Sequence, residues 1–169
     1  DGAAVYGSTI ELRANFLSKL QIESGLTVQR SEFTTAVKNI EGLPAKKQFL
    51  RTPNLYGFST ISFVGPENLV ASINMVNSGP MLIAHFEGAP EQKSNEYKKT
   101  RSFTELGFKV GYTYEVSKNK TGIELFGGIK NFTNAYQNDF DKGKNRDSNY
   151  IYGPAAPRTF FIGLKLKGL

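Results

Sequence analysis

The 169 residues include no cysteine, no tryptophan, a single histidine and two methionines. Without cysteine there is neither a disulfide framework nor a thiolate metal site. His85 has no carboxylate paired with it at ligand spacing, so it is read as a residue of a wet strand face or of the rim, and not as a catalytic base or a metal ligand. No nucleophile elbow, glycine-rich phosphate loop or HExxH element occurs. The sequence therefore indicates no enzyme chemistry, no metal and no cofactor. Long apolar runs are missing too. No stretch of about 18 apolar residues exists, which excludes a transmembrane helix. Membrane-spanning strands are not excluded, because their alternation averages to polar.

Aromatic residues and glycine are abundant, with 13 Phe, 8 Tyr and 17 Gly. They fall on a period of two. From Leu106 to Val116 every second residue is apolar (Leu106, Phe108, Val110, Tyr112, Tyr114, Val116), and Gly107, Lys109, Gly111, Thr113 and Glu115 lie between them. The last strand repeats this, with Phe160, Ile162, Leu164 and Leu166 opposed to Phe161, Gly163, Lys165 and Lys167. Such alternation predicts strands with one apolar and one wet face.

Turn signals divide the chain into seven strands. They are expected at about 5–15, 20–33, 55–64, 69–86, 106–116, 122–131 and from Phe160 to the end. Ser78-Gly79-Pro80 marks a bulge or kink in the fourth. The fold class is thus all-β, an antiparallel up-and-down meander. Its connections alternate short, long, short, long, short, long, so all short turns fall at one end and all long loops at the other. Transmembrane β-barrels sort their loops this way; a soluble sandwich has no reason to. Parity adds an expectation. Single-chain bacterial barrels have even strand numbers, so seven strands imply at least one more upstream, and the chain reads as part of a larger barrel.

Lipid-facing positions are then expected at Leu106, Phe108, Val110, Tyr112, Ile123, Leu125, Phe160, Ile162 and Leu164, and wet wall at Glu105, Lys109, Glu124, Lys130 and Lys165. Phe160, Phe161, Tyr112 and Tyr114 fall near strand ends, where aromatic girdles sit. The net charge of +6 is spread over loops and wet faces without a stripe to fit a groove, so no nucleic acid is implied. Arg51, Lys98, Arg101, Asp139, Asp141 and Arg146 are candidate ligand contacts on the long loops. Lys93, Lys98, Lys99 and Arg101 form a cluster on the outer-loop side that is read first as a charged loop staying in water, with contact to lipopolysaccharide phosphates or an anionic chelate as the alternative. Asp139, Asp141, Gly143, Asn145 and Asp147 alternate as calcium ligands would. An EF-hand needs Gly sixth and Glu twelfth, however, and here Gly143 is fifth, Tyr150 twelfth, and cations interleave. That loop is read as solvated or self-paired.

The segment ELFGGIKNFTNAYQNDFDKGKNRDSNYIYGPAAPRTFFIGLKL, residues Glu124 to Leu166, resembles the C-terminal end of TonB-dependent outer-membrane receptors of the Bacteroidetes type. Gly128-Ile129-Lys130-Asn131 with Phe132, Asn134 and Tyr136 matches the phrase that ends the family's penultimate strand. Tyr152-Gly153-Pro154 and Pro157-Arg158-Thr159-Phe160 match the phrase that opens its last one. FLRTPNLYG, Phe49 to Gly57, resembles an earlier strand start. The resemblance implies that residues 1–169 are the C-terminal portion of a 22-stranded barrel, about a third of its wall, lacking the plug and earlier strands. It further implies a bacterial outer-membrane location and import of a scarce bulky solute such as a ferric siderophore, cobalamin or a glycan. The implied partners are membrane lipid, the TonB complex acting through the plug, and the barrel-assembly machinery. The family's frequent terminal aromatic is replaced here by Gly168-Leu169. The alternation alone also accommodates a small stand-alone porin or barrel enzyme, and a soluble β-sandwich binding module.

Overall fold

The computed structural model describes residues 2–116 and 122–167. Among them there is no helix. Ten strands form in chain order: β1 (Ala3–Phe16), β2 (Leu20–Val37), β3 (Lys46–Gln48), β4 (Leu55–Val64), β5 (Leu69–Ser78), β6 (Leu82–His85), β7 (Glu96–Lys99), β8 (Phe103–Glu115), β9 (Gly122–Lys130) and β10 (Thr159–Lys167). Seven of these make an antiparallel meander in the order β1-β2-β4-β5-β8-β9-β10, each strand beside its neighbour along this path. The short β3 adds to the far end of β2, and β6 pairs with β7 as a separate hairpin. The sheet is open, so β1 and β10 each present an unpaired edge.

Register explains why alternation in one strand becomes a property of the whole sheet. One hydrogen-bonded row runs Phe16, Leu20, Phe63, Ala71, Val110, Gly127, Ile162. The next row on the same face carries Ala14, Ile22, Ile61, Ile73, Phe108, Ile129 and Phe160. A slip of one residue anywhere would turn a strand's apolar set to the wet side, and no slip occurs along this path. All nine expected lipid-facing residues share this face. Among them Leu125, Phe160, Ile162 and Leu164 are at least half exposed. Two hydroxyls that interrupt the face, Ser24 and Ser59, bond each other at 2.8 Å. Phe16 and Phe63 stand on it next to the short turns at 17–19 and 65–68, and Tyr112 and Tyr114 at the same end of the sheet.

The opposite face carries Glu11, Arg13, Glu23, Thr27, Thr60, Ser72, Glu105, Lys109, Glu124, Lys130 and Lys165. Arg13 and Glu23 pair at 2.8 Å, and the Thr9 and Thr27 hydroxyls at 2.9 Å. Phe161 lies on this face, not in a girdle beside Phe160: adjacent strand residues point to opposite sides. Its ring covers its register partner Gly128, and the Phe126 ring covers Gly163. A side chain at either glycine would displace the ring, and at Gly128 it would also meet the Phe108 carbonyl. The Lys109 and Lys130 ammonium groups sit over the Phe126 and Phe161 rings, at 4.6 and 5.8 Å from their centroids.

The expected fourth strand, 69–86, is two elements. The chain leaves the sheet after Ser78: Gly79 donates its last ladder bond to the Leu55 carbonyl, and Pro80 has no N–H to offer a next one. Leu82–His85 then turns into the β6–β7 hairpin. The turn at Ser117–Lys120 lies outside the described residues.

Candidate functional site

The buried core lies at the long-connection end of the sheet, where β8 begins. Ile83, Phe103, Tyr150 and Tyr152, with Met81 and Ala135 packed on them, form it where the long connections meet. Those connections are 38–54, 79–102 and 131–158, all at one end of the meander.

The third connection supplies the frame. Asn131 follows β9 in a left-handed conformation (φ 47°), which asparagine tolerates. Its buried side chain accepts from the Ala135 N–H at 2.8 Å and donates to the Ala135 and Ala156 carbonyls, both at 2.9 Å. The two ends of a 28-residue loop are thereby tied at one amide. Gly153 has φ 93°, and a Cβ there would collide with the Phe103 ring, so glycine is required at this corner. Two extended segments, 137–141 and 150–152, run between these fixed points. Buried Gln137 donates to the Tyr150 carbonyl at 3.1 Å and accepts from the Tyr152 N–H at 2.8 Å.

The inward side chains of these segments build a polar network. Asp139 accepts from the hydroxyls of Tyr150 and Tyr152, each at 2.6 Å, and lies 3.4 Å from the Lys98 ammonium. Burial alone would raise the Asp139 carboxyl, but the two hydroxyls and Lys98 outweigh it and hold it at about 2. The same burial, reinforced by the bond to Asp139, raises both tyrosine hydroxyls above their usual range.

His85, expected on a wet face or the rim, is buried (3% exposed). Its ring stacks on Tyr150 with centroids 3.6 Å apart and planes at 14°. Nε2 faces both oxygens of Asp141 at 3.0 and 3.1 Å; a carboxylate only accepts, so this nitrogen carries the proton. Nδ1 lies 3.4 Å from Glu96 Oε1, within ion-pair distance but without hydrogen-bond geometry. Asp141 also accepts from the Asp147 N–H, and Asp147 accepts from the N–H groups of Phe86 and Asn149. The oxygen-rich loop is thus self-paired and bound to the β6–β7 hairpin. Among the described residues no group of three or more His, Asp or Glu is placed to hold a metal.

Arg51 joins the first connection to the other two. Its N–H donates to the Leu82 carbonyl at 2.7 Å, and its guanidinium donates to the carbonyls of Ile151 (2.9 Å) and Asn149. Arg51, Ala84, Phe86, Ser148, Asn149 and Ile151 line a groove of about 440 Å³ where all three connections meet.

Of the six candidate ligand contacts, Lys98, Asp139 and Asp141 come together in the network and Arg51 borders it, all occupied by protein partners. Arg101 and Arg146 stand exposed. Sequence reading missed His85, Glu96, Gln137, Tyr150 and Tyr152. One signal was present: the alternation of Gln137, Asp139 and Asp141, and of Tyr150 and Tyr152, is that of extended segments with an inward face. The partners of His85 lie 11 and 56 residues away and leave no local trace.

The two tyrosine hydroxyls are taken up by Asp139, and His85 is buried against Asp141 and Tyr150. What the arrangement does is bond the long loops to one another in one cap. No protein-family model matches the chain, and no curated protein matches it significantly.

Proposed function

We propose that this chain is part of the wall of an outer-membrane β-barrel, and specifically the C-terminal portion of a TonB-dependent receptor that imports a bulky solute. The observation that carries the wall reading is the apolar face, continuous over seven strands and left largely exposed among the described residues. A sheet stable in water packs its apolar face on a second layer, and here the core sits at the loop end instead. A hydrocarbon layer supplies the missing layer. The hydrogen-bonded row beginning at Phe16, the last residue of β1, reaches the interior of β8 and β10, the stagger that tilted barrel strands require. The unpaired edges of β1 and β10 would continue into further strands, since long open edges invite aggregation.

The receptor reading is finer and rests on the family phrases and on the cap. In this proposal the cap meets solute outside the cell, the polar face lines the interior, and energy arrives through a plug that other parts of the protein supply. The apolar face argues against a soluble sandwich module, which would bury it against a second sheet.

These 169 residues hold no cysteine, so single cysteines placed in them, with any elsewhere in the protein replaced, give a direct test. Single cysteines at Ile73, Val110 and Leu125 on one face, and at Thr60, Ser72 and Glu105 on the other, are labelled with a fluorophore in the whole protein reconstituted in lipid. Brominated lipid should quench the first three labels strongly and the second three weakly. Equal quenching on both faces, or recovery of the protein as a soluble monomer without detergent, would overturn the wall reading.

A further inference from the structure

The fold concentrates charge. The three long connections hold twelve of the Lys and Arg residues and seven of the Asp and Glu residues, a net +5 of the chain's +6. Nine other basic and eight other acidic residues nearly balance over the rest of the chain. Because the meander brings these connections to one end, charge scattered in sequence becomes one basic pole.

The hydrogen bonding sharpens this pole. Asp139, Asp141 and Asp147 direct their oxygens inward to tyrosine hydroxyls, His85 and backbone N–H groups, and Glu96 faces His85. Lys98 and Arg51 are drawn inward in the same way and Lys46 sits over the Tyr97 ring, while Glu41, Glu87 and Glu91 of the same connections stay exposed. Lys47, Lys93, Lys99, Arg101, Lys144 and Arg146 are exposed. They come from all three connections, and the cap that carries them is cross-braced by Arg51 and by His85–Asp141. Cations on a rigid base lose less freedom when they engage a multivalent anion than cations on a floppy loop, and a field of one sign also speeds the encounter.

We propose that the long-loop pole is a binding surface for polyanions, recognising clustered phosphate or carboxylate groups on a soluble solute or on a lipid headgroup. This deepens the receptor reading by giving its solute a charge class: multiply anionic rather than a neutral glycan. The surface itself does not depend on the apolar face meeting lipid.

The test uses the whole protein in phosphatidylcholine nanodiscs, titrated with inositol hexakisphosphate at low ionic strength. Saturable binding that weakens with added salt is expected. Lys99→Gln/Arg101→Gln/Arg146→Gln should weaken it about a hundredfold, since each cation against an anionic partner is worth about a factor of five. Lys19→Gln/Lys109→Gln/Lys165→Gln, the same charge change away from the pole, should leave it within about twofold. A second set of discs contains bisphosphorylated lipid A. Unchanged affinity there assigns the pole to soluble anions, and weakened affinity that the loop variant abolishes assigns it to lipid phosphates. Absence of saturable, salt-sensitive binding by the unmodified protein, or equal weakening in both triple variants, overturns the proposal. Failure of the barrel reading would appear separately. The protein would then not enter discs, and binding measured in solution would still decide the pole.

Discussion

A lysine in place of Val110 tests the lipid-facing wall with a magnitude that follows from register. The apolar run of β8 extends from Leu106 to Tyr114, eight steps of about 3.4 Å, or roughly 27 Å along the strand. Inclined at about 40°, it spans roughly 21 Å of height, close to the apolar band of about 25 Å in such barrels. Val110 is its midpoint. Its register partners are Ala71 and Gly127, and neither can neutralise an ammonium. Half the band, about 12 Å, exceeds what a lysine stem can reach, so the charge stays in hydrocarbon. Val110→Lys should therefore cost about 2–4 kcal/mol. The matched control is Thr60→Lys on the opposite face, where the register partners are Glu23 and Asn74; it should stay within about 0.5 kcal/mol. Urea unfolding of the protein in lipid vesicles, followed by circular dichroism and by heat-dependent gel mobility, measures both. Equal effects of the two substitutions would refute the assignment of faces to lipid and water.

Three further outcomes test the cap and the sheet. Asp141→Asn removes the carboxylate facing buried His85, a loss worth about 3 kcal/mol. Amide hydrogen exchange over 82–99 and 139–152 should speed up about a hundredfold while the seven-stranded sheet keeps its protection; unchanged exchange in the loops would show that the pair does not hold them. Asp139, at about 2 when folded against 3.8 in its ordinary state, stabilises the cap fully above pH 3.8, and this contribution is lost as pH falls toward 2. The shift sets a ceiling of about 2.4 kcal/mol. With its side chain 31% exposed, screening reduces this to about 1 kcal/mol, and Asp139→Asn should remove the acid limb from a loop-opening titration. Gly128→Ala should lower the urea midpoint, at a cost of about 1–3 kcal/mol. Phe161→Ala should not rescue it, because the new methyl also meets the Phe108 carbonyl; full rescue would mean that the ring alone sets the constraint.

The meander was legible because a period of two is a local property. Leu106–Tyr114 and Phe160–Leu166 show their apolar face without reference to any partner, and the turns at 17–19 and 65–68 end their strands by local chemistry. The register between strands followed from the need to keep the apolar sets on one side. The loops were legible only in outline. Gly79-Pro80 was visible as a break, but nothing nearby distinguishes a bulge from a departure into the β6–β7 hairpin. His85 looked unpartnered because Asp141 is 56 residues distant. The alternation of Asp139 and Asp141 was visible and invited a calcium reading, although its inward face meets tyrosine hydroxyls and a histidine. Polar networks assembled from three connections are long-range by construction, and a sequence window cannot see them.

The distribution of burial makes the strongest case for dividing the chain into two parts with different surroundings. In a water-soluble β-protein the sheet supplies the core and the loops stay solvated. Here the buried residues Ile83, Tyr150 and Tyr152 meet Phe103, the first residue of β8, at the loop end, while Ile162 further along the sheet is 79% exposed and Leu164 70%. The loop cap has a small core and a polar network of its own, although Phe86, Phe132, Tyr136, Phe140 and Ile151 on it stay exposed. The sheet satisfies its inner backbone hydrogen bonds but not its apolar side chains, which is the condition for stability in lipid. The boundary falls at the long-loop ends of the strands, marked by Asn131, Gly153 and Phe160. One consequence is mechanical. The three connections are cross-linked by Arg51 and His85–Asp141 and continue into β2, β4, β5, β8, β9 and β10, so the exposed cations stand on loops bonded to one another and to the sheet.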